Sequence, residues 1–436
     1  MQYALIGERL AHSFSPELHR SFGRYDYACL ELAPSELGSF LKARRFEGLN
    51  VTIPYKQAVI PYLDRLDPRA AAIGAVNTVV KRDGLLWGYN TDFGGMAEAI
   101  CHLLAPLSAG QSPALAGKTL LILGTGGSSK TALAVCAALG ATEVFRVSRR
   151  EQAGVLSYEQ LLKRFGGPRP SAGPSAPEAP RQLVILNCTP VGMFPDWERL
   201  PLRPAALPGL VGVFDCVYNP LRTRLVLETR GLGLPAGGGL EMLVRQAALA
   251  CGLFTGSAVE EGQILGALSA LGRSRENLVL IGMPGCGKST VGSLLAKALG
   301  KPFVDLDAVI EARAGKPVAA IFAEAGEGRF RELESALVQE LAGQGGQLIA
   351  TGGGTVLREE NLRRLRQNGR IFFLDRPLEA LRPSPERPLG DTAEKLRGLY
   401  RQRYGLYRAA ADCVISCRGT AEQAFTAALA AWRSLE

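Results

Sequence analysis

A glycine-rich loop in the second half of the sequence has the residue types and spacing that bind a nucleoside triphosphate. Residues 282–289 read Gly-Met-Pro-Gly-Cys-Gly-Lys-Ser, which fits GxxxxGK[ST], and they follow a short apolar strand. Backbone N–H groups of such a loop surround the phosphates, its lysine reaches the β- and γ-phosphates, and its serine hydroxyl ligates Mg²⁺. The sequence therefore predicts an ATP and Mg²⁺ site formed by Gly285, Cys286, Gly287, Lys288, Ser289 and Thr290.

A second glycine-rich loop, earlier in the chain, is typical of dinucleotide-binding proteins. This loop lies between an apolar strand and a helix, and it would contact a pyrophosphate at the start of that helix. Its residues are Gly124, Thr125, Gly126, Gly127 and Ser128. The next strand ends in Ser148, Arg149 and Arg150, where an NAD site would carry an acid. A guanidinium pairs well with a 2′-phosphate, so Ser148 and Arg149 favour NADP over NAD, unless the two arginines are simply solvated.

Polar residues are concentrated in four short motifs ahead of this loop. They include Ser13, Ser15, Thr52, Lys56, Asn77 and Asp92. Each motif alone fits a turn or a helix cap, but four together favour a substrate site. A lysine ammonium beside a carbonyl stabilises the negative charge that hydride arrival leaves on oxygen, and it can donate the proton. A carboxylate such as Asp92 would position that lysine, while His12 and His19 are alternative acids.

These motifs resemble those of shikimate dehydrogenases over about residues 1–268, as do Asn187–Met193 (NCTPVGM) and Gly239–Gln246 (GLEMLVRQ). The resemblance implies reduction of 3-dehydroshikimate to shikimate with NADPH, with Lys56 and Asp92 as the catalytic pair. The residues it implies for the substrate are Ser13, Ser15, Thr52, Asn77, Asp92, Tyr218 and Gln246. The residues it implies for the cofactor are Gly124–Ser128, Ser148, Arg149, Cys216 and Gly239, with Met242 near the nicotinamide.

Charged residues downstream of the second loop suit phosphoryl transfer. The segment Phe303–Asp307 (FVDLD) is predicted to be a strand whose alternation places Asp305 and Asp307 on one face at its end. One acid would serve the metal and the other the acceptor hydroxyl. The glycines of Gly352–Gly354 let a backbone approach a ligand, and several later arginines suit a carboxylate or a phosphoryl group.

This second set resembles shikimate kinases over about residues 277–436. The shikimate-binding residues implied by the resemblance are Asp307, Arg331, Gly353 and Arg403. Asp307 would also be catalytic, orienting or deprotonating the attacking hydroxyl, and Asp305 would support the metal site with Ser289. Arg387 would be the lid arginine on ATP. The corresponding segment Leu381–Pro388 (LRPSPERP) is shorter and richer in proline than the family pattern, which bears on its hinge motion.

The elements that must position these residues alternate strand, loop and helix, which indicates α/β architecture with parallel sheets. We expect an α/β substrate domain and a Rossmann-type NADP domain, followed by a P-loop kinase domain whose parallel five-stranded sheet has helices on both faces. The predicted boundaries are 1–95 plus 237–268 for the substrate domain, 96–236 for the NADP domain, 269–276 for a linker and 277–436 for the kinase domain. The proline-rich stretch 166–180 occupies part of the NADP domain where a helix is expected.

Composition indicates a globular, cytoplasmic protein that binds small molecules. Of the 436 residues, 47% are hydrophobic and 21% are charged, and no apolar run is long enough for a transmembrane helix. The start (MQYALIG) is typical of a strand rather than a signal peptide. The nine cysteines lack CxxC spacing, which argues against zinc and for a reducing compartment. The net charge of +9 suits anionic substrates, and without a basic run with interleaved aromatics it does not favour nucleic acid.

The leading interpretation is a bifunctional enzyme of aromatic amino acid (chorismate) biosynthesis, because the product of the first reaction is the substrate of the second. Three alternatives are retained. In the first, only one half is active and the other is a regulatory ligand-binding module. In the second, the first half is a quinate-type dehydrogenase. The third is a basic nucleic-acid-binding protein with an ATPase P-loop, which would bind nucleic acid in a salt-sensitive way.

Overall fold

The computed structural model describes residues 2–10, 13–23, 25–108, 114–167, 181–383 and 389–434. The chain forms two compact units. Unit 1 comprises Met1–Asn219 and Thr223–Leu271, and unit 2 comprises Pro220–Arg222 and Gly272–Glu436. Both units are built from β-sheets and helices in alternation along the chain, so the predicted α/β class is confirmed.

The first sheet of unit 1 has six strands. They are β1 (Tyr3–Gly7), β2 (Tyr27–Glu31), β3 (Gly48–Val51), β4 (Arg65–Leu66), β5 (Thr78–Arg82) and β6 (Leu85–Tyr89). The strand order is β2-β1-β3-β5-β6-β4, with β5 antiparallel to both β3 and β6 and the other pairs parallel. The helices of this part are α1 (Ser15–Phe22), α2 (Leu37–Ala43) and α3 (Pro68–Ile73). A buried apolar cluster that includes Ile6, Leu49 and Val79 packs the sheet.

Local sequence determines where helix α3, which precedes Asn77, begins and ends. The Asp67 side chain accepts hydrogen bonds from two backbone N–H groups of the first turn, and Pro68 fixes the first helical φ. Gly74 ends the helix with a φ of 67°, which glycine adopts without a Cβ clash. The chain then enters β5 directly after Asn77.

The second sheet of unit 1 has five parallel strands in the order β11-β10-β9-β7-β8. They are β7 (Lys118–Leu123), β8 (Glu143–Val147), β9 (Gln182–Asn187), β10 (Leu210–Asp215) and β11 (Ala236–Gly237). The helices are α4 (Asp92–Ser108), α5 (Gly127–Ala138), α6 (Tyr158–Phe165) and α7 (Arg224–Gly231). Strand β7 is buried throughout, as expected of a parallel strand covered on both faces. Of the proline-rich stretch, residues 168–180 lie outside the described residues.

Two further helices follow β11, α8 (Leu240–Thr255) and α9 (Glu261–Arg275), and unit 1 ends within α9 at Leu271. Arg245 of α8, whose side chain is 2% exposed, donates to Glu98 of α4 at 2.7 Å and to Glu261 of α9 at 2.8 Å. These ion pairs tie three helices together. The segment 269–276, expected as a linker, is instead helical as far as Arg275, because α9 continues through it.

Unit 2 contains a parallel five-stranded sheet in the order β13-β14-β12-β15-β16, as predicted. The strands are β12 (Asn277–Ile281), β13 (Phe303–Asp305), β14 (Leu348–Ala350), β15 (Gly369–Asp375) and β16 (Cys413–Ser416). The helices are α10 (Lys288–Leu299), α11 (Leu306–Ala314), α12 (Val318–Ala342), α13 (Glu359–Asn368), α14 (Ala393–Ala410) and α15 (Ala421–Ser434). Across the described parts of both units, no helix has the length and apolar character needed to cross a membrane.

The prediction that Asp305 and Asp307 share one face of a strand is wrong. Strand β13 ends at Asp305, which is the N-cap of α11. Its Oδ1 accepts from the backbone N–H of Asp307 at 3.1 Å, so Asp307 lies in the first turn of the helix. A carboxylate that caps a helix in this way ends the strand, so strand alternation no longer applies at Asp307.

Gly95 of α4 lies directly against α8. A Cβ on Gly95 would be 2.7 Å from the Met242 carbonyl oxygen and 2.9 Å from the Gln246 backbone nitrogen. We expect Gly95→Ala to push the two helices apart and to lower the free energy of unfolding by about 1–3 kcal/mol, measured by denaturant unfolding. Gly94→Ala is the matched control, because its Cβ would meet only the flexible Leu249 side chain. Equal stability of the two variants would contradict the prediction.

Candidate active sites

The polar residues of the N-terminal motifs meet in a cavity of unit 1 with a volume of about 340 Å³. The sequence-predicted residues that line it are Ser13, Ser15, Thr52, Lys56, Asn77, Asp92, Ser128, Cys216, Tyr218, Gly239, Met242 and Gln246. Two of them, Ser13 and Ser15, share a hydrogen bond of 3.2 Å between their hydroxyl groups. The substrate and catalytic residues predicted for this unit thus all face one space, whose volume suits a small organic molecule.

An ion pair between Lys56 and Asp92 is the charged centre of this cavity. Lys56 Nζ donates to Asp92 Oδ2 at 2.6 Å, and Asp92 Oδ1 accepts from Asn77 Nδ2 at 3.0 Å. Asp92 is the first residue of α4, where a carboxylate also interacts favourably with the helix dipole. The side chains of Lys56 and Asp92 are 16% and 7% exposed. The ammonium is therefore fixed in position and still reaches the cavity.

Hydrogen bonds also fix the orientation of the Asn77 amide. Its Oδ1 accepts from the backbone N–H of Thr91 at 2.7 Å, and its Nδ2 donates to Gln246 Oε1 at 3.3 Å. Because a backbone N–H can only donate, the amide oxygen must face it, and the amide nitrogen must face Asp92 and Gln246. Asn77 thereby joins β5 to α8 at the cavity.

Asn50 lines the same cavity, although the sequence analysis did not assign it. Its Oδ1 accepts from the Tyr27 hydroxyl at 2.7 Å, and its Nδ2 donates to Thr78 Oγ1 at 3.2 Å. A signal for this residue was present, because Asn50 and Thr52 are two positions apart in an extended segment and so point to the same side.

His19 is not placed to act as an acid. It is fully buried, its Nδ1 lies 2.6 Å from the Tyr25 hydroxyl oxygen, and its ring stacks on Tyr27. Burial lowers the pKa of His19 to about 3, so the ring is neutral. It is not among the described residues that line the cavity. The other histidine considered, His12, lies outside the described residues.

The first glycine loop runs from β7 into α5. Gly124 has a φ of 106°, and a Cβ there would lie 3.1 Å from Thr189 Cγ2 and 3.2 Å from the Cys188 carbonyl oxygen. The loop thus brings backbone, rather than side chains, to the N-terminus of α5, an arrangement that suits a pyrophosphate. Ser128 lines the cavity. The loop residues outside its lining are Gly124, Thr125, Gly126 and Gly127.

Ser148 and Arg149 lie at the same end of the sheet as this loop, where the strands have their carboxyl ends. They follow β8, which pairs in parallel with β7, so the ends of the two strands are neighbours. Ser148 Oγ accepts from the Arg150 backbone N–H at 3.0 Å, and the Arg149 side chain is exposed. The predicted 2′-phosphate residues are therefore accessible beside the loop, outside the lining of the cavity.

Gly239 brings the start of α8 against the end of β10. A Cβ on Gly239 would overlap the carbonyl oxygen of Cys216, so a side chain does not fit there. Cys188, which follows β9, also lines the cavity, and its Sγ lies 3.8 Å from Cys216 Sγ. The sequence analysis did not assign Cys188, because only the fold reveals that it neighbours Cys216.

Asp215 is a buried carboxyl group at the end of β10. Its Oδ1 accepts from Asn187 Nδ2 at 2.9 Å and from the Val217 N–H at 3.0 Å, and its Oδ2 accepts from Thr223 Oγ1 at 2.7 Å. Burial raises the pKa of Asp215 to about 7 despite these three donors. The network holds the segment that begins with Cys216 in place beside the cavity.

A second cavity, of about 530 Å³, lies in unit 2. The sequence-predicted residues that line it are Gly285, Gly287, Lys288, Ser289, Thr290, Asp305, Asp307, Arg331, Gly353 and Arg403. Cys286 is 1% exposed and packs in the apolar core, so its side chain does not face the cavity. Arg387, the expected lid arginine, lies outside the described residues. The phosphate, metal and substrate residues predicted for this unit thus share one cavity.

The P-loop is held by its own lysine. Lys288 Nζ donates to the carbonyl oxygens of Gly282 at 2.9 Å and Met283 at 3.1 Å, so the ammonium lies over the loop. Ser289 Oγ donates to Asp305 Oδ2 at 2.6 Å. A hydroxyl and a carboxylate that lie together offer the hard oxygen ligands that Mg²⁺ prefers, and they therefore fit that ion.

Asp307 has the properties of a group that handles a proton. Burial raises the pKa of Asp307 to about 6, although the nearby Lys288 ammonium acts in the opposite direction. Its Oδ1 has no hydrogen-bond partner among the described residues, and a Cβ on Gly352 would lie 2.8 Å from that oxygen. A carboxyl group with a pKa of about 6 that lines a cavity can orient or deprotonate a hydroxyl group.

Two glutamates fix Arg331 at the cavity wall. Its Nη1 donates to Glu334 at 3.0 Å and its Nη2 donates to Glu327 at 3.0 Å. Glu334 is fully buried and also accepts from Thr355 Oγ1 at 2.5 Å. A Cβ on Gly354 would overlap the Arg331 guanidinium. The sequence analysis missed Glu334, although its i, i+3 spacing from Arg331 predicts an interaction on a helix.

Gly353 and Arg403 complete this cavity from two other elements. The Tyr407 hydroxyl donates to the Gly353 carbonyl oxygen and so anchors α14, which carries the buried Arg403, to the glycine segment. A Cβ on Gly353 would lie 2.9 Å from Pro284, so this segment passes directly against the P-loop. Arg376 also lines the cavity and was not predicted as a site residue.

Two family models match the chain. The model described as "Shikimate dehydrogenase substrate binding domain" matches residues 5–79. The model described as "Shikimate kinase" matches residues 284–433. The first match extends from β1 to the start of β5 in the six-stranded sheet of unit 1, and the second covers most of unit 2.

Curated proteins and solved structures are similar to the first part of the chain. The shikimate dehydrogenase (NADP(+)) of Moorella thermoacetica is 37% identical over 270 residues, covering 58% of this chain and 87% of that protein. The one from Symbiobacterium thermophilum is 38% identical over 263 residues, covering 56% and 86%. Shikimate dehydrogenase 1 from Peptoclostridium difficile is 30% identical with a TM-score of 0.52, covering 62% and 98%. The Thermus thermophilus shikimate 5-dehydrogenase in complex with NADP(H) and shikimate is 32% identical with a TM-score of 0.50, covering 62% and 99%.

The raised pKa of Asp215 predicts how stability depends on pH. Because the folded state binds this proton more tightly than the unfolded state, the contribution to stability is complete below about pH 4 and is lost as the pH rises through about 7. Asp215→Asn cannot ionise. We therefore compare its Tm with that of the unsubstituted protein at pH 5 and at pH 8. The difference in Tm should favour the variant more at pH 8, by about 2–4 °C for each ~1 kcal/mol of stability that the unsubstituted protein loses when Asp215 ionises.

Asp196→Asn is the control for that measurement, because Asp196 is an exposed carboxylate paired only with Arg199 in the described residues. Its Tm difference from the unsubstituted protein should stay constant over the same pH range. A constant difference for Asp215→Asn as well would show that Asp215 does not titrate in this range.

Proposed function

Because the chain belongs to the shikimate dehydrogenase family and carries a shikimate kinase domain after that part, we propose that it is a bifunctional enzyme with two consecutive activities. Unit 1 reduces 3-dehydroshikimate to shikimate with NADPH. Unit 2 phosphorylates shikimate with ATP to give shikimate 3-phosphate. The observation that carries the proposal is that each unit gathers its own catalytic groups in one cavity, Lys56 with Asp92 and Lys288 with Asp307.

Lys56 is the proposed general acid of the reduction. When bound, NADPH supplies the hydride to the substrate carbonyl carbon. The Lys56 ammonium, held 2.6 Å from Asp92, stabilises the charge that develops on the carbonyl oxygen and donates the proton to it. Asp92 orients the ammonium and accepts a hydrogen bond from a neighbouring substrate hydroxyl. Asn77 keeps Asp92 in place through its 3.0 Å hydrogen bond.

The other polar groups of the unit 1 cavity would position the substrate. The proposed substrate-binding residues are Ser13, Ser15, Thr52, Asn77, Asp92, Tyr218 and Gln246. Hydroxyl and amide groups both donate and accept hydrogen bonds, so they match a ring that carries hydroxyl groups and a carboxylate. Their common position on one cavity wall supports this assignment.

The proposed NADP site lies across the carboxyl ends of β7, β8 and β10. Its loop residues, which would face the pyrophosphate, are Gly124, Thr125, Gly126, Gly127 and Ser128. Ser148 and Arg149 would bind the 2′-phosphate, in keeping with the exposed guanidinium beside the loop. Cys216, Gly239 and Met242 would border the nicotinamide, because they line the cavity on the side of α8 and β10.

The proposed kinase site uses the P-loop of unit 2. The loop residues Gly285, Cys286, Gly287, Lys288, Ser289 and Thr290 would bind the ATP phosphates. Ser289 and Asp305 would hold Mg²⁺, which neutralises phosphate charge when bound. Lys288 would stabilise the charge on the transferring group, and its hydrogen bonds to the carbonyl oxygens of Gly282 and Met283 support this role because they hold the ammonium at the loop. Arg387 would contact ATP from the lid segment.

Asp307 is the proposed catalytic residue of the kinase. Its carboxylate would accept the hydrogen bond of the attacking shikimate hydroxyl and, as the new bond to phosphorus forms, its proton. Arg331 and Arg403 would bind the shikimate carboxylate by charge-assisted hydrogen bonds, and Gly353 would admit the ring close to the backbone. The buried ion pair of Arg331 with Glu334 supports this role, because it fixes the guanidinium before substrate arrives.

The two reactions follow one another in chorismate biosynthesis, since the product of the first is the substrate of the second. We assign the shikimate-binding domain to residues 1–95 plus 237–268, the NADP domain to 96–236 and the kinase domain to 277–436. All nine cysteines are free thiols, which supports a reducing cytoplasm as the location.

Two single substitutions should separate the activities. We expect Lys56→Ala to lower the rate of dehydroshikimate reduction by about 10²–10⁴-fold, because the general acid is lost. Phosphorylation of added shikimate by this variant should be unchanged. Lys288→Ala should abolish phosphoryl transfer and spare the reduction. Both rates are measured on the full chain, by NADPH absorbance and by detection of shikimate 3-phosphate.

Lys42→Ala and Lys297→Ala are matched controls, because each removes an exposed lysine from a helix of the same unit. Both should retain both activities. Loss of both activities in Lys56→Ala or in Lys288→Ala would contradict two separate sites. A full chain that catalyses only one reaction would favour the alternative with a regulatory half.

Arg149 should set the preference for NADP. We expect Arg149→Ala to raise the KM for NADPH by about 10–100-fold, because a charge-assisted contact with the 2′-phosphate is lost. The KM for NADH should not change, since NADH lacks that phosphate. Arg164→Ala, which removes an exposed arginine of α6, is the control. An equal rise in KM for both cofactors would rule out a specific 2′-phosphate contact.

A further inference from the structure

Cys188 and Cys216 form a pair of thiols in the unit 1 cavity. They follow the neighbouring parallel strands β9 and β10, and the Cys216 N–H donates to the Asn187 carbonyl oxygen at 2.9 Å as the ladder ends. The two Sγ atoms lie 3.8 Å apart, and both residues are partly exposed to the cavity. Neighbouring strands lie about 4.8 Å apart, within the Cα separation of about 4.4–6.8 Å that a disulfide spans.

We propose that Cys188 and Cys216 are an oxidation site at which a peroxide forms a reversible disulfide that inhibits the dehydrogenase. The effect on activity rests on the proposed function of unit 1. The formation of the disulfide does not rest on that function, because the bond can be detected chemically whatever the activity of the protein.

The two thiols have different roles in this reaction. The hydrogen bond with Cys216, together with burial, raises the pKa of Cys188, and either sulfur can donate in their 3.8 Å contact. A thiolate rather than a thiol is the nucleophile in such reactions. We assign the first attack to Cys216, because the raised pKa disfavours the thiolate form of Cys188.

The chemistry balances with one molecule of peroxide. The Cys216 thiolate attacks one oxygen of hydrogen peroxide, the O–O bond breaks, and the released hydroxide takes the proton that Cys216 lost, which leaves a sulfenic acid and water. Cys188 sulfur then attacks the Cys216 sulfur, the S–O bond breaks, and the leaving hydroxyl takes the Cys188 proton as a second water. Two thiols are oxidised and one peroxide is reduced.

Closing this bond would change the proposed nicotinamide region. The sulfurs must approach from 3.8 Å to about 2.05 Å, which draws together the segments after β9 and β10. The Cys216 carbonyl oxygen already leaves no room for a Cβ on Gly239, so movement there is transmitted to the start of α8. Met242, which lines the cavity one turn into α8, would shift with it.

A nearby third thiol offers a matched control. Cys136 of α5 is fully buried in the apolar cluster that Cys188 packs against, and it is not among the described residues that line the cavity. Burial raises the pKa of Cys136 to about 12, so it remains a thiol. It should therefore not react with peroxide, although it lies close to the pair.

The test treats the full chain with hydrogen peroxide, blocks remaining thiols with iodoacetamide and identifies linked peptides by mass spectrometry without reduction. We expect a peptide pair joined through Cys188 and Cys216, with the loss of two hydrogens. The dehydrogenase rate should fall by about tenfold or more, since small displacements of catalytic geometry have effects of this size. The kinase rate should be unchanged, and dithiothreitol should restore the dehydrogenase rate.

Each variant is compared with its own rate before oxidation. Cys188→Ala and, as a second variant, Cys216→Val should resist peroxide, whereas Cys136→Ala should be inhibited like the unsubstituted chain. The proposal is overturned if the inhibited protein still alkylates both Cys188 and Cys216, if the link involves Cys136, or if the linked protein keeps its full dehydrogenase rate. A reduced protein without dehydrogenase activity would contradict the proposed function instead, and the linked peptide would still decide the oxidation site.

Discussion

The chemistry of both units depends on the way neighbouring parallel strands end at one edge of a sheet. Loops that follow such strands are brought together whatever their separation in sequence. In unit 1 the glycine loop after β7, Arg149 after β8 and the cysteines after β9 and β10 share this edge. In unit 2 the P-loop after β12 meets Asp305 from β13 and the glycine segment after β14. Glycine is required where two such segments touch, as at Gly353 beside Pro284.

The two proposed catalytic lysines are held by different partners, and the difference matches their proposed ligands. Lys56 is paired with a carboxylate, so its charge is already compensated and it suits a carbonyl that gains charge only during the reaction. Lys288 is held by the neutral carbonyl oxygens of Gly282 and Met283. Its full positive charge therefore remains available to phosphates, which are anionic before the reaction starts.

Features set by local spacing could be predicted from the sequence, and features set by distant contacts could not. The apolar strands and both glycine loops follow from residue pattern, and the five-stranded sheet of unit 2 follows from the resemblance to shikimate kinases. Asp307 was placed on a strand because alternation ignores the helix cap at Asp305. The segment 269–276 was expected as a linker, but its residues up to Arg275 form the end of α9. Asn50 and Glu334 have a local signal in their spacing from Thr52 and Arg331. Their hydrogen bonds with Tyr27 and Thr355, which are distant in sequence, could not be predicted from that spacing.

The two aspartates with pKa values raised by burial, Asp215 and Asp307, differ in how their oxygens are engaged. Asp215 accepts three hydrogen bonds, so both of its oxygens are engaged and the group holds a turn in place. Asp307 has an oxygen without a partner in the described chain, and it lines a cavity. A buried polar atom without a partner is costly unless a ligand completes it. The pKa shift alone therefore does not distinguish the two groups, whereas the unpartnered oxygen does, and it supports the catalytic role that we propose for Asp307.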